Sequence, residues 1–166
     1  MPMIAVYPND ILLTPCDPVE EPEATIECCS ALLEVYQALG SNCLGLAANQ
    51  VGFSMRIVIL RVGDKHEFLI NPEILYRGST QVTSREYCYS LPDISRVVDC
   101  WDEIKISYMD QYWKHCELNL SGGEARALQH ELWHLNGKTI LEHGPKNVSA
   151  SKLKRLARKY KGWLYV

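Results

Sequence analysis

The sequence predicts an α+β fold in which antiparallel strands pack around a central helix. Three observations predict it. Residues 55–120 form a succession of short β-branched and apolar segments with no helical period among them. One helical pattern precedes this run, and another follows it. Helices gathered at the ends of a strand run, and not alternating with strands, indicate α+β in preference to α/β architecture.

In chain order, Pro8, Pro15 and Pro18 make residues 1–20 read as an extended arm with turns. Pro22 then opens a helix whose apolar face is read as Ile26, Cys29, Leu33 and Tyr36, with Gly40 as its stop. Residues 41–52 hold the small-residue stretch Gly45-Leu46-Ala47-Ala48-Asn49-Gln50. Strands are expected at 55–61 and 67–70, joined by a turn at 62–65. More follow at 81–87, 95–98, 103–109 and 112–120, the last two joined by a tight turn at Asp110-Gln111. Ser121-Gly122-Gly123 ends the strands, and a helix runs from about 124 to 135 with Gly137 past its end. Residues 149–160 carry a weaker helical pattern, with Leu153, Leu156, Ala157 and Tyr160 on one face and basic residues opposite. Such a basic run reads as a solvated helix face before it reads as a nucleic-acid surface.

The chain of 166 residues is expected to form one domain spanning 1–166, long enough to bury a core unaided. Hydrophobic content of 47% and charged content of 22% are those of an ordinary soluble protein. A net charge of -3 carries no basic signature, so no nucleic-acid partner is expected. No apolar run is long enough to span a bilayer, and Met1-Pro2-Met3-Ile4 does not open a signal peptide. The seven cysteines are odd in number and include no CxxC pair, which favours a reducing compartment over a disulfide framework. The expectation is a cytoplasmic location, in an organelle or an infected cell if the source is an organelle or a virus, with no membrane association.

The segment with the most chemistry is His130-Glu131-Leu132-Trp133-His134. On a helix, positions i and i+4 share a face, so both imidazoles can reach one ion. Glu131 then lies beside that ion, where a carboxylate can take a proton from a bound water. A hydrolytic site of this type needs a third protein ligand. Downstream, Glu142 and His143 follow too closely and read as a surface carboxylate and a loop residue. Upstream, Cys88 stands at a strand end, and two imidazoles with one thiolate make a tetrahedral site with a free corner. Taken alone, any of the seven cysteines is more often a small core residue than a ligand.

Three segments in order resemble the peptide deformylases, the enzymes that remove the formyl group from the N-terminus of new polypeptides. Cys43-Leu44-Gly45-Leu46-Ala47-Ala48-Asn49-Gln50 is similar to the family's G-φ-G-φ-A-A-x-Q except at the first glycine. Glu86-Tyr87-Cys88-Tyr89-Ser90 keeps the acid, cysteine and serine of E-G-C-L-S. Gln129-His130-Glu131-Leu132-Trp133-His134-Leu135-Asn136-Gly137 keeps all of Q-H-E-x-D-H-L-x-G but the aspartate. Tyr7-Pro8-Asn9-Asp10-Ile11-Leu12 and Gly123-Glu124-Ala125-Arg126 also fit, so the likeness runs from about Tyr7 to Gly137.

The resemblance implies a deformylase-like fold and removal of formyl from N-formyl-methionyl peptides. It implies Cys88, His130 and His134 as ligands of one divalent ion per chain, with ferrous iron as the native metal and zinc, nickel or cobalt as alternatives. Glu131 would act as general acid/base, and Gln50 with the backbone N–H of Tyr89 would hold the oxyanion. Leu44, Gly45, Leu46, Glu86 and Tyr87 would border the substrate, which lies extended along 44–48 in the family. Glu86 reads equally as a partner in a structural ion pair. The ribosome is a further implied partner. Four residues depart from the pattern. Trp133 replaces an acid and suggests apolar packing there, and Tyr87 replaces a glycine that could need positive φ. Tyr89 replaces a leucine that lines the cleft, and Cys43 replaces the first glycine. The rival readings are another metal hydrolase, such as a peptidase or amidase, and a non-catalytic binding module on the same scaffold.

Overall fold

The computed structural model describes residues 1–144 and 147–166. Its elements are β1 (Met3–Ala5), α1 (Asp10–Leu13), α2 (Thr25–Leu39), β2 (Gly45–Ala47), β3 (Ile57–Val62), β4 (Lys65–Arg77), β5 (Gln81–Tyr87) and β6 (Ser95–Trp101). They continue with β7 (Glu103–Met109), β8 (His115–Ser121), α3 (Gly122–Leu135), α4 (Ala150–Tyr160) and β9 (Trp163–Tyr165). Five strands form one antiparallel sheet in the order β2-β3-β4-β7-β8, β5 pairs with β6, and β1 pairs with β9.

β3 explains the layering. Its run Ile57-Val58-Ile59-Leu60 is wholly buried, because side chains alternate across a strand and both faces of this one are covered. Val58 and Leu60 pack with Leu128, Leu132 and Leu135 of α3, whereas Ile57 and Ile59 pack with Cys28, Leu32 and Val35 of α2. Burying each such aliphatic side chain contributes roughly 1.5–3 kcal/mol. β7 shows the one-sided pattern instead, with Ile104, Ile106 and Tyr108 buried and the residues between them facing outward. On its other flank α3 meets the β5–β6 hairpin, where the Gln129 side chain accepts from Trp101 N at 2.9 Å and donates to Trp101 O at 2.8 Å. The helix that carries the two histidines therefore has strands on both sides.

The C-terminal end of α3 is tied down from several directions. Its carbonyls lack intrahelical donors and need outside partners. His134 O accepts from Asn49 Nδ2 at 2.6 Å, and Leu135 O accepts from Cys16 N at 2.8 Å and Arg56 Nη1 at 3.1 Å. Gly137 follows with φ 72°, and a Cβ there would lie 2.8 Å from backbone atoms of Thr14 and Pro15. Only glycine meets both demands.

Several elements differ from expectation. The N-terminal arm holds β1 and the short α1, the latter capped by the Asn9 side chain, which accepts from Ile11 N. α2 buries Cys28, Leu32 and Val35, while Cys29, Leu33 and Tyr36 flank that face and Ile26 is 69% exposed. Its apolar stripe is wide, and the sequence reading had followed one edge of it. β4 extends past Ile70 through Asn71 (φ 51°) and Pro72, where its register against β7 shifts. A proline is tolerated at such a bulge. The link between β7 and β8 is wider than a tight turn: Asp110 N donates to Lys114 O, and the Asp110 carboxylate accepts from Tyr112 N and Lys114 N. β9 had no counterpart in the sequence reading.

Candidate active site

α3 sets His130 and His134 one turn apart, with ring centroids 5.2 Å from each other. Cys88 directly follows β5, and its carbonyl accepts from Leu91 N in the turn that leads back to β6. Its Sγ lies 3.2 Å from His134 Nε2. The ligand atoms of Cys88, His130 and His134 all lie within 4.8 Å of one another, and all three residues are buried. His130 turns Nδ1 toward Glu86 Oε2 at 3.7 Å, which leaves Nε2 as its donor atom to the cluster.

This donor set fits a tetrahedral divalent ion. Bonds of roughly 2.0–2.3 Å put neighbouring ligand atoms about 3.3–3.8 Å apart, a range bracketed by the 3.2 Å between Cys88 and His134 and the 4.8 Å that encloses all three. A carboxylate on the far nitrogen of a ligating imidazole is the usual arrangement for fixing ring orientation. Glu86 supplies it, and Arg126 Nε and Ser84 Oγ in turn lie 3.9 Å and 3.1 Å from Glu86 Oε1. Both prior readings of Glu86 thus meet in one residue, which joins an ion pair and also borders the cavity.

Glu131 is 5% exposed, and its Oε2 has no hydrogen-bond partner among the described residues. Its side chain packs on β2, where a Cβ at Gly45 would come within 3.1 Å of Glu131 Cγ. Gly45 therefore gives the carboxylate its room. Gln50, in the 3-10 turn after β2, accepts from Ala47 N through Oε1 at 2.9 Å. That bond fixes which end of the amide faces the cluster: Nε2 lies 3.9 Å from Cys88 Sγ and 3.1 Å from Ser90 Oγ.

The electrostatics follow from this crowding. Burial opposes ionisation of Cys88, yet His134 and then His130 outweigh it and hold the thiol well below its ordinary range. Burial likewise opposes charge on His130, but Cys88 and Glu86 together hold it well above the usual imidazole range. Glu131 is raised, chiefly by burial, with the two imidazoles opposing. Glu86 is lowered, because His130, Ser84 and Arg126 together outweigh its burial.

One cavity of about 270 Å³ joins Leu44, Gly45, Gln50, Glu86, Tyr87, Cys88, Tyr89, His130 and Glu131. Leu46 is the exception among the expected substrate-bordering residues. Alternation sends its side chain to the α2 side of the sheet, where it is fully buried, and it is not among the cavity's walls. Tyr87 pairs with Ser95 and is not among the residues with positive φ, so replacing the glycine brings no left-handed strain. Trp133 packs apolar as expected, with its ring stacked on His143 at 3.8 Å between centroids. The Glu142 carboxylate instead accepts from Thr139 N at 2.7 Å. A larger cavity of about 570 Å³ lies elsewhere, around Arg56, Trp101 and Trp133, and contains none of the three clustered ligand residues. Sequence reasoning missed Ser90 as the acceptor for Gln50 and Asn49 as the residue tying His134 to α1 through Ile11 O. Both stand inside motifs already quoted, so the signal was present.

Comparison with known proteins gives one family. The family model described as Polypeptide deformylase matches residues 1–151. A peptide deformylase of Polynucleobacter necessarius is 35% identical over 163 residues, covering 95% of this chain and 91% of the relative. The crystal structure of a peptide deformylase from Thermotoga maritima aligns with a TM-score of 0.80 at 31% identity, over 86% of this chain and 97% of that one. A Met-Ala-Ser-bound class I type b peptide deformylase from Acinetobacter baumannii aligns with a TM-score of 0.77 at 28% identity, over 84% and 96%.

Proposed function

Because the chain belongs to the polypeptide deformylase family, we propose that Cys88, His130 and His134 hold its metal, that Glu131 moves the protons, and that Gln50 with the Tyr89 N–H steadies the oxyanion. The reaction is hydrolysis of the formyl amide at the N-terminus of a peptide. The observation that carries the assignment of roles is a buried Cys/His/His cluster whose Cys88 and His130 share one cavity with a buried carboxylate and an oriented amide, with His134 wholly buried behind them.

A divalent ion held by Cys88, His130 and His134 would supply Lewis acidity and a water that is nucleophilic at neutral pH. Glu131 Oε2, buried and without a partner among the described residues, is the atom that takes the proton of the attacking water. The same carboxyl, once protonated, stands in the cavity where it can give that proton to the departing amine. Gln50 Nε2, its amide oriented by the Ala47 bond, acts with the Tyr89 N–H on the carbonyl oxygen as it gains charge. Glu86 orients His130.

The edge of β2 offers the peptide its backbone partners. Arg61 N donates to Leu44 O, so Leu44 and Leu46 bond inward to β3 while Gly45 and Ala47 point their backbone groups outward. Ala47 N–H is used by Gln50 and Gly45 O accepts from Cys43 Sγ at 3.4 Å, which leaves the Gly45 N–H and the second lone pair of its carbonyl to pair with an added strand. The Acinetobacter relative binds Met-Ala-Ser, and a peptide of that kind is the occupant we assign to this edge.

We further assign residues 1–166 to one catalytic domain and ferrous iron as the native metal, with zinc, nickel and cobalt as substitutes for a thiolate and two imidazoles. A cytoplasmic location accords with the seven free cysteines. Among the described residues no helix is long and apolar enough to cross a membrane. Nascent chains that carry the formyl group would be met at the ribosome.

The test is formate release from formyl-Met-Ala-Ser beside its acetyl analogue, with metal analysis of anaerobically purified protein. Rapid, formyl-selective turnover by protein carrying one metal per chain is expected. Equal rates on the two peptides would reassign the chain as a general amidase.

A further inference from the structure

Resting on the deformylase reading, we infer that Tyr87, Tyr89 and Leu164 build a subsite for the second side chain of the substrate, selecting a large apolar or aromatic residue there. A chamber of about 330 Å³ adjoins the reaction cavity and shares Asn42, Tyr87, Cys88 and Tyr89 with it. Beyond those shared walls it is bounded by Leu91, Pro92, Ile94 and Leu164, with Asp93 as the one charged residue, and so it is largely apolar. A formyl carbon bears only hydrogen on its acyl side, so every other part of the substrate extends from the amide nitrogen. Any part of the substrate that enters either chamber therefore lies downstream of the scissile bond.

The direction and the side follow from the strand. Gln50 stands just beyond one end of β2 and Asn42 before the other, so a peptide with its formyl oxygen at Gln50 runs along the outward-facing Gly45 toward Asn42. Successive side chains of an extended peptide point to opposite faces. The reaction cavity is walled by Arg126, Ala127, His130 and Glu131 of α3, whereas no residue of α3 borders the second chamber. The first side chain thus faces α3, and the second turns into the chamber behind Tyr87 and Tyr89. These two residues stand where the family pattern has glycine and leucine, and Tyr87 is 72% exposed at the boundary.

The experiment measures kcat/KM of the metal-loaded enzyme on formyl-Met-Xaa-Ser with Xaa as Ala, Leu, Phe or Asp, and on formyl-Met-Ala-Xaa as the positional control. The expected result is a preference for Phe over Ala of roughly 10-fold at the second residue, with Asp poorest. Tyr87→Gly and Leu164→Ala should each move that ratio toward one, read alongside thermal melts that report folding. Equal rates for Ala and Phe, a preference seated at the third residue instead, or a ratio unmoved in both variants overturns the subsite. No formate from any formyl peptide would instead overturn the deformylase reading on which it rests.

Discussion

Gln50 accepts the Ala47 N–H through its side-chain oxygen at 2.9 Å, and this one bond aims the amide nitrogen at the Cys88 side of the cavity. The same two atoms decide what a substitution does. In Gln50→Glu the oxygen that replaces Nε2 meets the developing negative charge with another. The variant should lose roughly 100- to 1000-fold in kcat/KM with less change in KM, measured by steady-state formate release. A loss confined to KM would mean that Gln50 binds substrate without favouring the transition state.

Glu86 holds His130 from behind at 3.7 Å. Glu86→Ala should weaken metal binding by roughly 10- to 100-fold, read by competition with a chromophoric chelator. Unchanged affinity would leave Glu86 as a cavity wall alone.

Glu131→Gln should abolish turnover while leaving metal content intact. It also carries a stability signature in metal-free protein. Burial raises the Glu131 pKa in the fold, so the folded state binds its proton more tightly than the unfolded chain. The carboxyl's contribution is thus fully present below the unfolded value and is lost as pH rises through the folded one. Glutamine has no such dependence. The variant's stability relative to wild type should grow with rising pH across the carboxylate range, measured by urea melts, and a flat difference would contradict the burial argument.

Gly137→Ala combines two faults: positive φ, which costs about 1–2 kcal/mol for alanine, and overlap of the new methyl with the Thr14–Pro15 backbone. The urea midpoint should fall by more than the strain alone accounts for. If it does not, α1 and the end of α3 can separate freely.

Legibility in the sequence tracked the distance over which residues speak to one another. His130 and His134 could be read as a pair because four residues on a helix make one face, and β7 because its alternation is local. Cys88 needed the neighbouring motif, since its partners lie across the chain and nothing in a single thiol announces a ligand. The burial of Leu46 and of Cys28 was settled by which sheet face α2 covers, a tertiary fact that no local period carries. β9 escaped because three residues become a strand only by pairing with β1 at the other end of the sequence.

That pairing has a consequence in time. Met3, Ile4 and Ala5 have their partners at Tyr165, Leu164 and Trp163, so a chain growing from its N-terminus holds β1 single until residues 163–165 have been made. The closing strand also delivers Leu164 to the chamber beside Cys88. A nascent copy of this enzyme can have made Cys88, His130 and His134 well before residues 163–165, so the inferred subsite closes later than the cluster. Disrupting β9 at residues 163–165 should therefore yield a deformylase that still releases formate but chooses its peptides less well.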